Sequence, residues 1–168
     1  GDWSSDVCSS DLLELWLITD HSIENFTGGS GNDYVQGNSL DNILVGNAGA
    51  DVLDGELGND TLRGNDGGDT LTGGEGDDVL EGGGQADTLN GNEGDDTLEG
   101  GADADVLHGG DGSDSLRGGG GADVSDGGDG DDTYLFDVDE LAGADSLTEL
   151  TGGGSDTLDF QATTGRGI

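Results

Sequence analysis

From Gly28 to Leu135 the chain repeats every nine residues, twelve times in succession, without insertion or deletion. Glycine holds the first position of all twelve units and aspartate the sixth of eleven, Asn42 being the exception. The fourth position is glycine in nine units, and the eighth is Leu or Val in ten. A unit this short cannot enclose a core of its own, so each must stack on its neighbours in a solenoid. Positions one to six, of the form GGxGxD, are too glycine-rich for a helix or a strand interior and are expected to form a turn. Positions seven to nine read as a short strand, with Thr, Val and Ile common at seven. Side chains alternate along a strand, so positions six and eight point to one side: leucine inside, aspartate at the inner rim. Two units, eighteen residues, then complete a coil with two facing strands. Six such coils at ~4.8 Å each give a rod core about 29 Å long.

The expected core is a single ladder: Val35, Leu44, Leu53, Leu62, Leu71, Leu80, Leu89, Leu98, Leu107 and Leu116. That is thin for an array of this length, and the rest of the composition works against folding. The chain carries 39 acidic residues against three basic ones, a net charge of −36, with 38 glycines and no proline. Low hydrophobicity with so much like charge keeps a chain unfolded unless something compensates the charge. The same charge disfavours nucleic acid or an anionic membrane as a partner. No run approaches the ~18 apolar residues of a membrane span. A divalent cation is the natural compensator, and calcium suits the donors, because it takes carboxylate and carbonyl oxygens in flexible geometry. Zinc would want Cys or His, and the array holds only His108. Magnesium prefers a strict octahedron with several waters, and EF-hand spacing is absent.

A twelvefold match to GGxGxDxUx resembles the RTX, or haemolysin-type, calcium-binding repeats of secreted Gram-negative proteins. The resemblance covers residues 28–135 and implies an all-β, right-handed parallel β-roll with one row of Ca2+ ions along each edge. Each ion would lie between same-edge turns, bridged by the aspartate of position six and backbone carbonyls. One edge then carries Asp33, Asp51, Asp69, Asp87, Asp105 and Asp123; the other carries Asn42, Asp60, Asp78, Asp96, Asp114 and Asp132. Six turns per row allow ten ions at most. Leu40 and Asn42 weaken unit two, and Gln85 and Asp103 replace the fourth glycine of units seven and nine. Six to nine ions are therefore expected, the best sites lying between Asp60 and Asp96. The resemblance further implies type I secretion as an unfolded chain, folding outside the cell, and a parent toxin, protease, lipase or adhesin.

The flanks differ from the array. Residues 2–12, DWSSDVCSSDL, resemble a translated sequencing adapter; residues 1–12, Cys8 included, are set aside as an artefact with no structure expected. In residues 13–27, Leu13, Leu15 and Leu17 alternate with Glu14, Trp16 and Ile18, as in a strand capping the upper end. His21 has no second His or Cys at ligand spacing and reads as a surface residue. Residues 136–168 are the expected lower cap. There Phe136, Val138 and Leu141 would close the roll after Ser125 and Tyr134 replace leucine, and GADSLTELTGGGSDTLDF resembles the irregular strands that follow such arrays. No secretion signal is identifiable, and the chain is expected to be a fragment at both ends.

Other residues read as surface. Arg63, Glu81, Glu99 and Arg117 fall at position nine, eighteen apart, and should form a vertical column with Arg63–Glu81 and Glu99–Arg117 pairs. His108 takes the same position between Asn90 and Asp126 on the opposite face. H-E-x-x-H, G-x-S-x-G and P-loop motifs are all missing, so the array is read as non-enzymatic. A spacer or adhesin acting without any enzymatic domain is the alternative. Neither threonine column at position seven is regular enough for an ice-binding face, and the leucine ladder argues against a permanently disordered linker.

Overall fold

The computed structural model describes residues 13–16, 25–137, 145–148 and 153–161. The expectations for residues 1–12, His21, Val138 and Leu141 lie outside them. The described residues form sixteen strands and no helix. Strand β1 is Leu13–Trp16 and β2 Asn25–Thr27; β3 to β13 are six residues each, from Asp33–Asn38 to Val124–Asp129. Strands β14 (Thr133–Asp137), β15 (Ser146–Leu147) and β16 (Thr157–Gln161) follow. Odd strands build one eight-stranded sheet and even strands a second, every pairing parallel. Partners within the array sit eighteen residues apart, as Leu71 with Leu89 and Leu62 with Leu80. This is the β-solenoid of about six coils that the repeat demands.

The strands are longer than expected. From β4 to β13 each runs through positions seven to nine and on through one to three of the next unit, as Thr70–Glu75 and Val79–Gly84 show. Only positions four to six are left for the turn. Glycine costs backbone entropy in a strand, but pairing with the coils above and below steps over position one and resumes at positions two and three, so the strand carries on past the glycine. Side-chain alternation then aims position one inward together with six and eight. The glycine is required by crowding: a Cβ on Gly73 would sit 2.2 Å from Asp78 Oδ2 and 2.9 Å from the carbonyl oxygen of Gly91. Near each turn the position-six side chain and the backbone leave no room for a side chain at position one.

The ladder from Val35 to Leu116 is buried as expected, with Tyr134 completing it. In the last repeat coil, buried Ser125 and Tyr134 put a small and a large side chain at the two inward positions, and the Tyr134 hydroxyl accepts from Gly127 N–H at 2.7 Å. Phe26 and Phe136 pack partly against the ends of this core. Phe136 does not terminate the stack. It lies 5.3 Å, ring to ring, from Phe160 of β16, which adds a further rung and leaves Leu158 and Phe160 exposed. At the other end β1 pairs with β3, and β2 with β4 (Ile43–Ala48), extending both sheets.

The position-nine column is present. Arg63, Glu81, Glu99 and Arg117 occupy successive rungs, with Arg63–Glu81 at 3.1 Å and Arg117–Glu99 at 3.6 Å, leaving the two glutamates adjacent. All four are about half exposed, so each pair contributes only about 0–1 kcal/mol. His108 lies on a rung between Asn90 and Asp126, half exposed, 3.9 Å from the Asp126 carboxylate.

Candidate metal centre

Each position-six aspartate turns inward over the glycine that opens its own unit. One oxygen serves the fold: Asp51 Oδ1 accepts from Asp33 N–H at 2.7 Å, Asp69 Oδ1 from Asp51 N–H, and Asp87 Oδ1 from Asp69 N–H. The same step runs along the other edge, from Asn42 N–H to Asp60 Oδ1 and on through Asp78, Asp96, Asp114 and Asp132. Each carboxylate thus clamps the turn one coil before it. The second oxygen has no such role. At Asp51, Asp60, Asp69, Asp78, Asp87, Asp96, Asp105, Asp114 and Asp123, Oδ2 is buried without any hydrogen-bond donor. It also faces another acceptor: the point where Gly55 would carry a Cβ lies 2.2 Å from Asp60 Oδ2 and 2.6 Å from the Gly73 carbonyl oxygen. Acceptors converging without a donor suit a cation. Among the described residues no three His, Cys, Asp or Glu side chains gather at one point, so an ion here would draw further oxygens from the backbone.

Burial also sets the acid–base state. It pushes Asp60, Asp96 and Asp105 from 3.8 to about 7 and Asp51, Asp78, Asp87 and Asp114 to about 6; Asp69 and Asp123 are raised as well. The N–H from the preceding coil opposes this shift, and at most of these sites neighbouring aspartates add to it. Without a compensating charge, the ionised form is held at a cost.

The turns come in two kinds. From unit three onward, positions two and four are left-handed in every unit, from Asn47 (φ 80°) and Gly49 (φ 124°) to Gly128 and Gly130. Gln85 (φ 76°) and Asp103 (φ 72°) are forced into this region, the strain expected of units seven and nine. Position two also places Asn47, Glu56, Asn65 and Asn92 there, which the sequence reading did not single out. Units one and two adopt neither left-handed residue. Instead, the position-two N–H turns onto the position-six side chain: Gly29 donates to Asp33 Oδ2 at 3.1 Å and Asn38 to Asn42 Oδ1 at 2.8 Å. Asn42 therefore keeps an oxygen against Gly37, but a neutral and already engaged one. Asp33, expected to match the other aspartates, differs from them in this respect.

Two residues were missed. Asp145 Oδ1 accepts from Asp123 N–H at 3.2 Å and Asp156 Oδ1 from Asp132 N–H at 3.1 Å, continuing both rows beyond the array. Val124 pairs with Ser146 and Thr133 with Thr157, so both stand in register at position six. The signal was there: GADSL and GSDTL preserve positions four to eight after the period itself has lapsed.

Stacked coils with a buried carboxylate at each turn of units three to twelve define a cation-binding β-solenoid, a scaffold with no catalytic constellation in its repeats. The family model of the RTX calcium-binding nonapeptide repeat, four copies long, matches three times in tandem, at residues 27–62, 63–98 and 99–134. The chain belongs to that family, and calcium binding is the function the family carries. No curated protein matches the chain in sequence.

Proposed function

We propose that this chain is a calcium-operated folding module of a type I-secreted, extracellular bacterial protein. The supporting observation is the set of nine buried carboxylate oxygens without a donor, seven of which share the space over their glycine with another glycine's carbonyl oxygen. The ligands would be Asp51, Asp69, Asp87, Asp105 and Asp123 along one edge and Asp60, Asp78, Asp96, Asp114 and Asp132 along the other. Five open turns per edge leave four gaps in each row, eight ions within the expected six to nine. Asp33 and Asn42, in closed turns, contribute least.

A bound divalent ion supplies the positive charge that the converging oxygens lack. The chain's own residues do the rest: Oδ1 fixes the spacing of successive turns, the left-handed pair at positions two and four shapes the loop, and leucine registers the coils. Where calcium is scarce, the ionised carboxylates repel and the chain stays open for export. At the millimolar levels of extracellular modules, ions bind the roll and not the coil, and so stabilise it by mass action. Nearest-neighbour stacking makes the transition cooperative. Circular dichroism of the chelator-treated protein titrated with CaCl2, paired with calorimetry for stoichiometry, tests this. A chain already β-rich in chelator at pH 8, or one that takes up no calcium, would sink the proposal.

A further inference from the structure

The two edges of the roll are not equivalent. On the edge of Asp60, Asp78 and Asp96, position five is Asp41, Asn59, Asp77, Asp95, Ser113 and Asp131; on the other it is Asn32, Ala50, Gly68, Ala86, Ala104 and Ala122. The first set forms a second ladder. Asp41 Oδ1 accepts from Asn59 N–H at 2.9 Å, Asn59 from Asp77 at 3.2 Å, Asp77 from Asp95 at 3.0 Å, and Asp95 from Ser113 at 2.8 Å. These bonds reach forward to the next coil, whereas the position-six carboxylates reach back, so successive turns on this edge are clamped twice. On the opposite edge only Asn32 has a side chain that can do this, and it accepts from Ala50 N–H. The remaining positions are alanine or glycine.

Charge follows the same division. Position three on the doubly clamped edge includes Glu75, Glu93, Asp111 and Asp129 on consecutive rungs, all exposed; the opposite edge has Asp66 alone there. The extra charge reaches the buried sites: beyond burial itself, Asp77 acts on both Asp78 and Asp96, Asp95 on Asp114, and Asp41 on Asp60. Calcium affinity in oxygen-ligand sites rises with ligand charge and with rigidity. Here both favour one edge.

We infer that the two calcium rows are unequal, and that the row along Asp60, Asp78, Asp96 and Asp114 is the tight one, filling first and nucleating the roll. The inference rests on the calcium reading above. One nearby carboxylate is worth roughly a factor of five to ten for a divalent ion even at the dielectric of water.

Calorimetric calcium titration of the whole chain at low ionic strength should resolve two classes of site in equal number, with Kd values about tenfold apart or more. Asp77→Asn with Asp95→Asn keeps the side-chain oxygens but removes two charges, and should weaken the tight class about fivefold or more while leaving the weak class in place. The reciprocal Ala86→Asp with Ala104→Asp should strengthen the weak class and narrow the gap. A single class in the unmodified chain, or a tight class indifferent to the first variant and a weak class indifferent to the second, overturns the inequality while leaving calcium binding intact. No uptake of calcium at all defeats the underlying reading instead.

Discussion

Asp96→Asn should change stability in opposite directions with and without calcium. Burial raises the Asp96 carboxyl from 3.8 to about 7, so at pH 8 the ionised side chain costs the folded calcium-free roll about 4 kcal/mol. The sign follows from the direction of the shift: the stability that protonation brings is complete below 3.8 and is lost as pH rises through about 7. An asparagine escapes that loss. Its Oδ1 can still accept from Asp78 N–H, which reaches the aspartate at 2.8 Å. Its Nδ2 would replace the donorless oxygen beside Gly91, where the Gly109 carbonyl oxygen lies 2.6 Å from the would-be Cβ. An acceptor facing an acceptor becomes a donor facing one. In EGTA at pH 8 the variant should gain up to about 4 kcal/mol, and roughly half of that at pH 5.5. With calcium it should lose, because the sites above and below Asp96 have each lost a charge, and affinity there should fall about tenfold or more. Circular dichroism at both pH values measures all four cases, with urea unfolding in CaCl2 and, in EGTA, refolding by trimethylamine N-oxide, which strengthens burial enough to populate the calcium-free roll. A variant less stable than the parent in EGTA at pH 8, or one as well stabilised by calcium, refutes the reasoning.

The same linkage predicts that the parent chain in EGTA gains β-structure as pH falls from 8 towards 5.5, while its calcium affinity weakens as protons compete; circular dichroism and calorimetry across that range report both. Gly73→Ala should disrupt the coil, costing about 3 kcal/mol, since its Cβ would meet Asp78 Oδ2 at 2.2 Å and the Gly91 carbonyl oxygen at 2.9 Å. Gly84→Ala, whose nearest neighbour would be Asn65 O at 3.8 Å, should be tolerated, and thermal unfolding in calcium compares the two. Gln85→Gly and Asp103→Gly relieve left-handed backbone at φ 76° and 72° and should each stabilise the calcium-loaded roll by about 1 kcal/mol, read as a higher Tm. Leu40→Gly with Asn42→Asp should open unit two and raise the calcium stoichiometry by one.

Much of the molecule was legible because a nine-residue period leaves few physical solutions. The leucine ladder, the two rows and the Arg63–Glu81–Glu99–Arg117 column all follow from counting eighteen residues per coil. Position five was equally available to counting, yet its alternation matters only once the hydrogen bonds show Asp77 and Asp95 clamping the next coil. Strand length was misjudged because glycine was weighed by local propensity, whereas pairing with the coils above and below resumes at positions two and three, beyond the position-one glycine.

The sequence alone determined the coil, the residue that faces inward at each turn and the need for a compensating cation, since periodicity and charge are local and countable. Tertiary structure decided what each carboxylate oxygen does. Only stacking could show that Oδ1 is used up by the preceding coil while Oδ2 is left facing a carbonyl. Only stacking, likewise, could carry both rows on to Asp145 and Asp156. Those distinctions depend on hydrogen bonds between residues eighteen or more apart, which no nine-residue unit contains.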